Sequence, residues 1–199
     1  MRTAVQTKEV RDAILDATDM LLARYGYKKM TIDDIANEVG IGKGSVYLHF
    51  SSKEEIALSH VDRIIERLCD KLSAIAEQNI STEKRIEKMI VTRVTFRFES
   101  VQHYTQSLND LLSSLRENLL SRRKKYHDAE AKIIASVIKS GQKSGDFRSG
   151  NALQLANSFL LATNSLLPFN LSTKELGKRE DIEKSARNLT RLLLRGIKK

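Results

Sequence analysis

Met30-Thr31-Ile32-Asp33-Asp34-Ile35-Ala36-Asn37-Glu38-Val39-Gly40-Ile41-Gly42-Lys43-Gly44-Ser45-Val46-Tyr47-Leu48-His49-Phe50 is the stretch on which the reading of this chain turns. Thr31 followed three residues later by Asp34 approximates a capping box, with Asp where Glu is usual, and Met30 and Ile35 stand where a hydrophobic staple closes around such a cap. A helix therefore starts at Ile32. Gly40 permits the positive φ of the turn that ends it, and a second short helix over about 43–49 carries Val46 and Phe50 inward. Two short helices joined by a tight turn containing Gly make a helix-turn-helix, and Ala36 is small where the two cross. The second helix of such a motif enters the major groove, which points to double-stranded DNA as partner.

Working outward, nothing competes with helix. One proline in 199 residues leaves the backbone almost free of breakers. Apolar residues recur at i, i+3, i+4 steps: Val10, Ile14, Ala17, Leu21; Ile32, Ile35, Ala36, Val39; Ile182, Ala186, Leu189, Leu193. No stretch alternates as a strand bounded by hairpin turns does. The fold class is all-α, with about nine helices expected over 8–25, 32–39, 43–49, 52–77, 83–99, 104–118, 120–141, 151–167 and 180–197. Gly26, Gly40, Gly141 and Gly145 punctuate the pattern, and Pro168 is expected to close the eighth helix. No repeat or flexible linker divides the chain, so the functional boundary falls beside a helix: residues 1–55 as one part, 56–199 as the other.

Composition removes several classes. Cys69 is the only cysteine, so neither a disulfide framework nor a four-cysteine zinc site exists, and a reducing compartment fits. The amino terminus lacks the apolar core of a signal peptide, and the most apolar run, 159–169, is too short to span a bilayer. A cytoplasmic location is expected. His49, His60, His103 and His127 are scattered without metal-ligand spacing, and no glycine-rich loop follows a strand. No enzyme activity, cofactor or metal is expected. The formal charge is +9, from 34 Lys and Arg against 25 Asp and Glu, which suggests an anionic partner. Its location is unexpected: residues 1–60 carry −1 and residues 61–199 carry +10, and within 39–53 only Lys43 and Lys53 are charged.

From about Lys8 to Leu58 the chain resembles the DNA-binding domain of TetR-type (TetR/AcrR) transcriptional regulators. The resemblance rests on a first helix ending Tyr25-Gly26-Tyr27, on Met30-Thr31-Ile32-Asp33-Asp34-Ile35-Ala36, and on Gly40 to Phe50 followed by Ser52-Lys53-Glu54-Glu55. It implies a repressor more readily than an activator, homodimeric, leaving a palindromic operator when a small-molecule effector binds. An effector-independent nucleoid or structural protein on the same scaffold is the alternative. The implied DNA contacts are Thr31, Lys43, Gly44, Ser45, Tyr47, His49 and Lys53. Lys43 can donate to guanine or to a phosphate, Gly42 and Gly44 let the backbone approach the sugar-phosphate wall, and Thr31 and Lys53 sit at helix amino termini, where free N–H groups favour a phosphate. Four of these have a plainer reading: Thr31 as a cap, Tyr47 and His49 as packed side chains, Lys53 as a solvated lysine. Tyr25, Tyr27 and Phe50 read as core.

The same resemblance makes the remaining two-thirds a helical effector-binding and dimerisation body. Helix 151–167 is apolar on most of its circumference and must be covered on several sides; with helix 180–197 and its stripe Ile182, Ala186, Leu189, Leu193, Ile197 it forms the expected isologous interface. The candidate effector residues are Met89, Arg93, Phe96, Arg97, His103, Tyr104, Phe159 and Asn164, although aromatics at helical spacing are more often core. Arg93 and Arg97, one turn apart, suit a carboxylate or, by default, bulk water. The run Arg122-Arg123-Lys124-Lys125 fans around a helix turn and reads as solvated surface. Helix 52–77 is the expected lever between the two parts.

Overall fold

The computed structural model describes residues 2–102, 113–167 and 173–199, and among these every regular element is helical. In chain order they are α1 Arg2–Lys29, α2 Ile32–Val39, α3 Lys43–Tyr47, α4 Lys53–Ala76, α5 Thr82–Gln102, α6 Arg116–Ser144, α7 Ala152–Asn164, α8 Thr173–Leu176 and α9 Arg179–Ile197. The helix expected over 104–118 lies mostly outside the described residues, as does Pro168. The helix expected over 151–167 ends at Asn164, before that proline.

Two compact units form. The first holds residues 2–64 together with 113–122. Its core is the apolar stripe of α1 (Ile14, Leu15, Leu21, Leu22) closed by Met30, Ile35, Ala36, Val46, Phe50 and Ile56. Each such large side chain contributes up to about 1.5–3 kcal/mol on burial, which is what holds two very short helices in place. Leu115 is buried in the same core and Leu119 packs on it. Alongside, Asn118 donates to the Glu54 carboxylate and Arg122 pairs with Asp62. The basic run is thus solvated at Arg123, Lys124 and Lys125, while Arg122 is half-buried in an ion pair. α1 breaks at Gly26 (φ 75°, ψ 167°), so Tyr27 is buried while Tyr25, expected in the core, is exposed beside Arg24.

The second unit holds residues 65–102 and 123–199. Leu68, Leu72, Ile75, Ile86, Met89, Ile90, Ile134, Ile138, Phe147 and Phe159 make its main core, and Val91, Val94, Phe98, Ile182 and Ala186 a smaller one. Two sequence readings need correction. The inward stripe of α9 runs Ile182, Ala186, Thr190, Leu194; Leu189, Leu193 and Ile197 lie at its margin. Thr190 escapes a hydrophobicity pattern because its hydroxyl is satisfied locally, donating to the Ala186 carbonyl. Gly141 does not end α6, which runs on to Ser144 and stops before Gly145; it lies in the helix interior against Phe147. α4 and α6 each begin in the first unit and continue in the second.

Candidate functional site

The recognition geometry is built on backbone caps. Thr31 Oγ1 accepts from the Asp34 amide (3.1 Å) and the Thr31 amide donates to Asp34 Oδ2 (2.8 Å), so both halves of the capping box form. The hydrogen bonds from the Thr31 hydroxyl and amide hold the Asp34 carboxyl below its ordinary range. Gly40 takes φ 77°, and its amide closes α2 on the Ala36 carbonyl at 2.9 Å. α3 follows after Gly42, with Val46 buried beneath it.

That scaffold turns one face of α3 outward. Lys43, Gly44 and Tyr47 are exposed, Tyr47 at 50 %, and Ser45 and His49 are half-exposed. The reading of Tyr47 as a packed side chain is therefore set aside. Leu48 is 85 % exposed, an apolar side chain on the same rim that the sequence reading passed over, because an apolar residue between Val46 and Phe50 looks like core.

Both cations of the stretch are engaged. Lys43 Nζ donates to Asp33 Oδ2 at 2.7 Å, an open ion pair that raises the lysine above its ordinary value. Asp33, at the start of α2, was not foreseen near Lys43, and nothing in the sequence signals a contact between residues ten apart in different helices. Lys53 Nζ donates to the carbonyls of Tyr27 (3.0 Å) and Met30 (3.1 Å) and sits 4.6 Å from the Tyr27 ring centroid. Two of its three N–H donors are thereby used, so it fastens the end of α1 to the start of α4 and is not a plain solvated lysine.

Residues 14–59, this same motif, match the model of the bacterial regulatory proteins of the tetR family. The chain is a TetR-type transcriptional regulator. Its relatives agree along most of the length. The HTH-type transcriptional repressor KstR2 of Rhodococcus jostii is 28 % identical over 156 residues, covering 77 % of this chain and 75 % of that one. The fatty acid metabolism regulator protein of Bacillus subtilis is 22 % identical, covering 75 % and 77 %. A solved transcriptional regulator from Cytophaga hutchinsonii superposes with a TM-score of 0.79 at 23 % identity, covering 94 % of this chain and 98 % of that one, a likeness of fold.

In the second unit of this TetR-type regulator, the named effector residues separate. Met89 and Phe159 are fully buried in the main core, and Phe96 packs on it beneath Lys71. His103 and Tyr104 lie outside the described residues. Arg93, Arg97 and Asn164 come together, and the expectation that the arginines face water is wrong for Arg93, which is 2 % exposed. Arg93 Nε pairs with Glu130, itself 1 % exposed; its Nη1 donates to Thr163 Oγ1 (3.4 Å) and its Nη2 to Asn164 Oδ1 (2.8 Å). Arg97, half-buried one turn on, donates to the same Asn164 oxygen at 3.2 Å. Burial, then the neighbouring Arg93 charge, lowers the Arg97 guanidinium's hold on its proton. Glu130 and Thr163 had no sequence signal, lying 37 and 70 residues from Arg93. No His, Cys, Asp or Glu group among the described residues is arranged to hold a metal ion, and no described helix is long and apolar enough to cross a membrane.

Proposed function

We propose that this regulator is a homodimeric repressor that leaves a palindromic operator when a small molecule binds its second part. The observation that carries the reading is the outward face of α3: Lys43, Gly44, Ser45 and Tyr47 stand free of the core on a helix that the caps of α2 and the burial of Val46 hold rigidly. Thr31, His49 and the remaining donor of Lys53 complete the contact set at the phosphates. Residues 1–55 serve DNA binding and 56–199 effector binding and dimerisation, in the cytoplasm. Leu153 and Leu161 of α7 and Leu192 of α9 are exposed apolar side chains in the single chain, which suits an isologous interface through these helices. Repression is supported by the name of the Rhodococcus relative.

For release, a ligand must bind one arrangement of the dimer better than the other. α4 is the lever: its first turns carry Ile56 in the first core and Lys53 bonded to the Tyr27 and Met30 carbonyls, and its later turns carry Leu68 and Leu72 in the second core.

Selection of bound fragments from a random DNA pool tests this. A pseudo-palindrome with half-sites about one helical turn or a little more apart is expected, and Tyr47→Ala should weaken its binding about 10- to 100-fold while the dimer persists. Recovery of no sequence preference would favour the nucleoid alternative, and unchanged affinity of the variant at physiological salt would remove α3 from the groove.

A further inference from the structure

Among the described residues, the cluster on α5, α6 and α7 contains two guanidinium groups, Arg93 and Arg97, and one carboxylate, Glu130. Arg93 uses all three nitrogens on Glu130, Thr163 and Asn164 and is complete. Arg97 is not. Its one hydrogen bond goes to an amide oxygen that already accepts from Arg93, and it has no carboxylate within ion-pair distance among the described residues. The Glu130 charge reaches Arg97 and works against that of Arg93, while the exposed Arg123 on α6 adds a further positive charge to its surroundings. A chain selected for folding alone gains by putting an apolar side chain at such a position, because a cation withdrawn from water without a counter-ion costs more than it returns. Apolar side chains flank Arg97 along the same helix: Val94 and Phe98 are buried on α5 in the smaller core, against which Leu166 and Leu167, just after α7, pack.

We propose that Arg97, held in place by the completed Arg93–Glu130–Asn164 arrangement, is the receptor for the anionic head group of an amphiphilic effector, with a carboxylate as the chemistry its planar fork fits. The fork offers parallel N–H donors at the spacing of a carboxylate's two oxygens, and one negative charge cancels the excess of the cluster. A phosphate monoester presents similar oxygens, so the two head groups are separated by test. The inference rests on the reading of the second part of the chain as the effector-binding body and names the class of molecule that body takes.

The experiment is thermal unfolding of the full-length protein and of Arg97→Gln with three probes of equal chain length: decanoate, decyl phosphate and decanol. Removal of an uncompensated cation should leave Arg97→Gln at least as stable as the parent without probe. Decanoate at about 100 times its dissociation constant should raise the parent's unfolding temperature by roughly 5–10 °C. It should leave Arg97→Gln unmoved, and decanol should move neither. A larger shift with decyl phosphate than with decanoate would keep the anion receptor and overturn the carboxylate assignment. An equal shift in the variant, a shift with decanol, or none with either anion would overturn the receptor. So would an Arg97→Gln protein several degrees less stable than the parent, since that marks a structural arginine. Operator binding by the parent, measured separately, distinguishes the two failures. A protein that binds its operator but ignores both anions loses the receptor and keeps the regulator, whereas an anion shift without sequence-specific binding keeps the receptor.

Discussion

Lys43 and Arg97 are both cations read as contacts for an anion, and their surroundings are opposite. Lys43 stands in the open, its charge already answered by Asp33 at 2.7 Å. Arg97 is half-buried, with a shared amide oxygen as its hydrogen-bond partner. An exposed ion pair is worth about 0–1 kcal/mol, so Lys43 can exchange Asp33 for a phosphate or a guanine at little cost. A half-buried cation has no such substitute and gains sharply when its counter-ion arrives. On the functions proposed above, one region would serve repeated exchange along a polyanion and the other discriminating capture of a small one.

The largest effect should come from breaking the completed half of the buried cluster. Arg93→Gln leaves Glu130 charged and without its partner in the interior, and should cost about 3–5 kcal/mol of stability, read by chemical denaturation. A loss below about 1 kcal/mol would mean that water reaches Glu130 and that the contrast with Lys43 is overstated. On the DNA side, stability depends on caps and not on cations. Thr31→Ala removes the acceptor for the Asp34 amide and should cost about 1 kcal/mol, whereas Lys43→Ala should change stability by less than about 0.5 kcal/mol. Equal losses from the two would make Lys43 structural.

A smaller change sharpens the exchange idea. Asp33→Asn frees Lys43 and removes a negative charge from the edge proposed to face DNA, so binding to random-sequence DNA should tighten a few-fold and its salt dependence should steepen by up to about one unit of slope. Filter binding across a salt series reads this, and an unaltered slope would show that Lys43 already leaves Asp33 in the parent complex.

The smallest effect is one of pH. Burial pushes the Glu87 carboxyl up, but hydrogen bonds from Arg191 (2.7 Å to Nε) and Arg187 (2.6 Å to Nη1) outweigh it and hold the group below its ordinary value of 4.5. A lowered native value contributes stability in full above the unfolded value, and that contribution disappears as pH falls through the native one. The advantage of the parent over Glu87→Gln in unfolding temperature should therefore be constant near neutrality and shrink from about pH 5 downward. An advantage that grows on acidification would reverse the sign of this network.

Much of the fold could be read from the chain because its signals are local. The Thr31–Asp34 cap, the Gly40 turn and the apolar spacing of α1 and α2 each act within a few residues, and the helices begin and end close to where those signals stand. What escaped is long-range or self-satisfied. Leu115 belongs to the core of α1–α3 although about 65 residues separate it from Phe50, and Thr190 hides a core position behind a hydroxyl bonded one turn back. At the candidate sites, periodicity could offer Arg93 and Arg97 as a pair but could not say that Glu130 pairs with the one while both share Asn164. It could not see Asp33 beside Lys43 either, because ion-pair partners across helices leave no spacing to count.

Gly141 shows where such a chain resists improvement. Replacing glycine inside a helix by alanine is a standard way to stabilise a protein, worth up to about 1 kcal/mol, and a sequence-based redesign would choose this position early. Here the new methyl group would stand 2.5 Å from Phe147 Cδ2 and 2.7 Å from Thr82 Cγ2, so the ring that seals the end of α6 would have to leave its place. The missing side chain is a socket, and any effort to harden this regulator for use as a sensor should leave residue 141 alone.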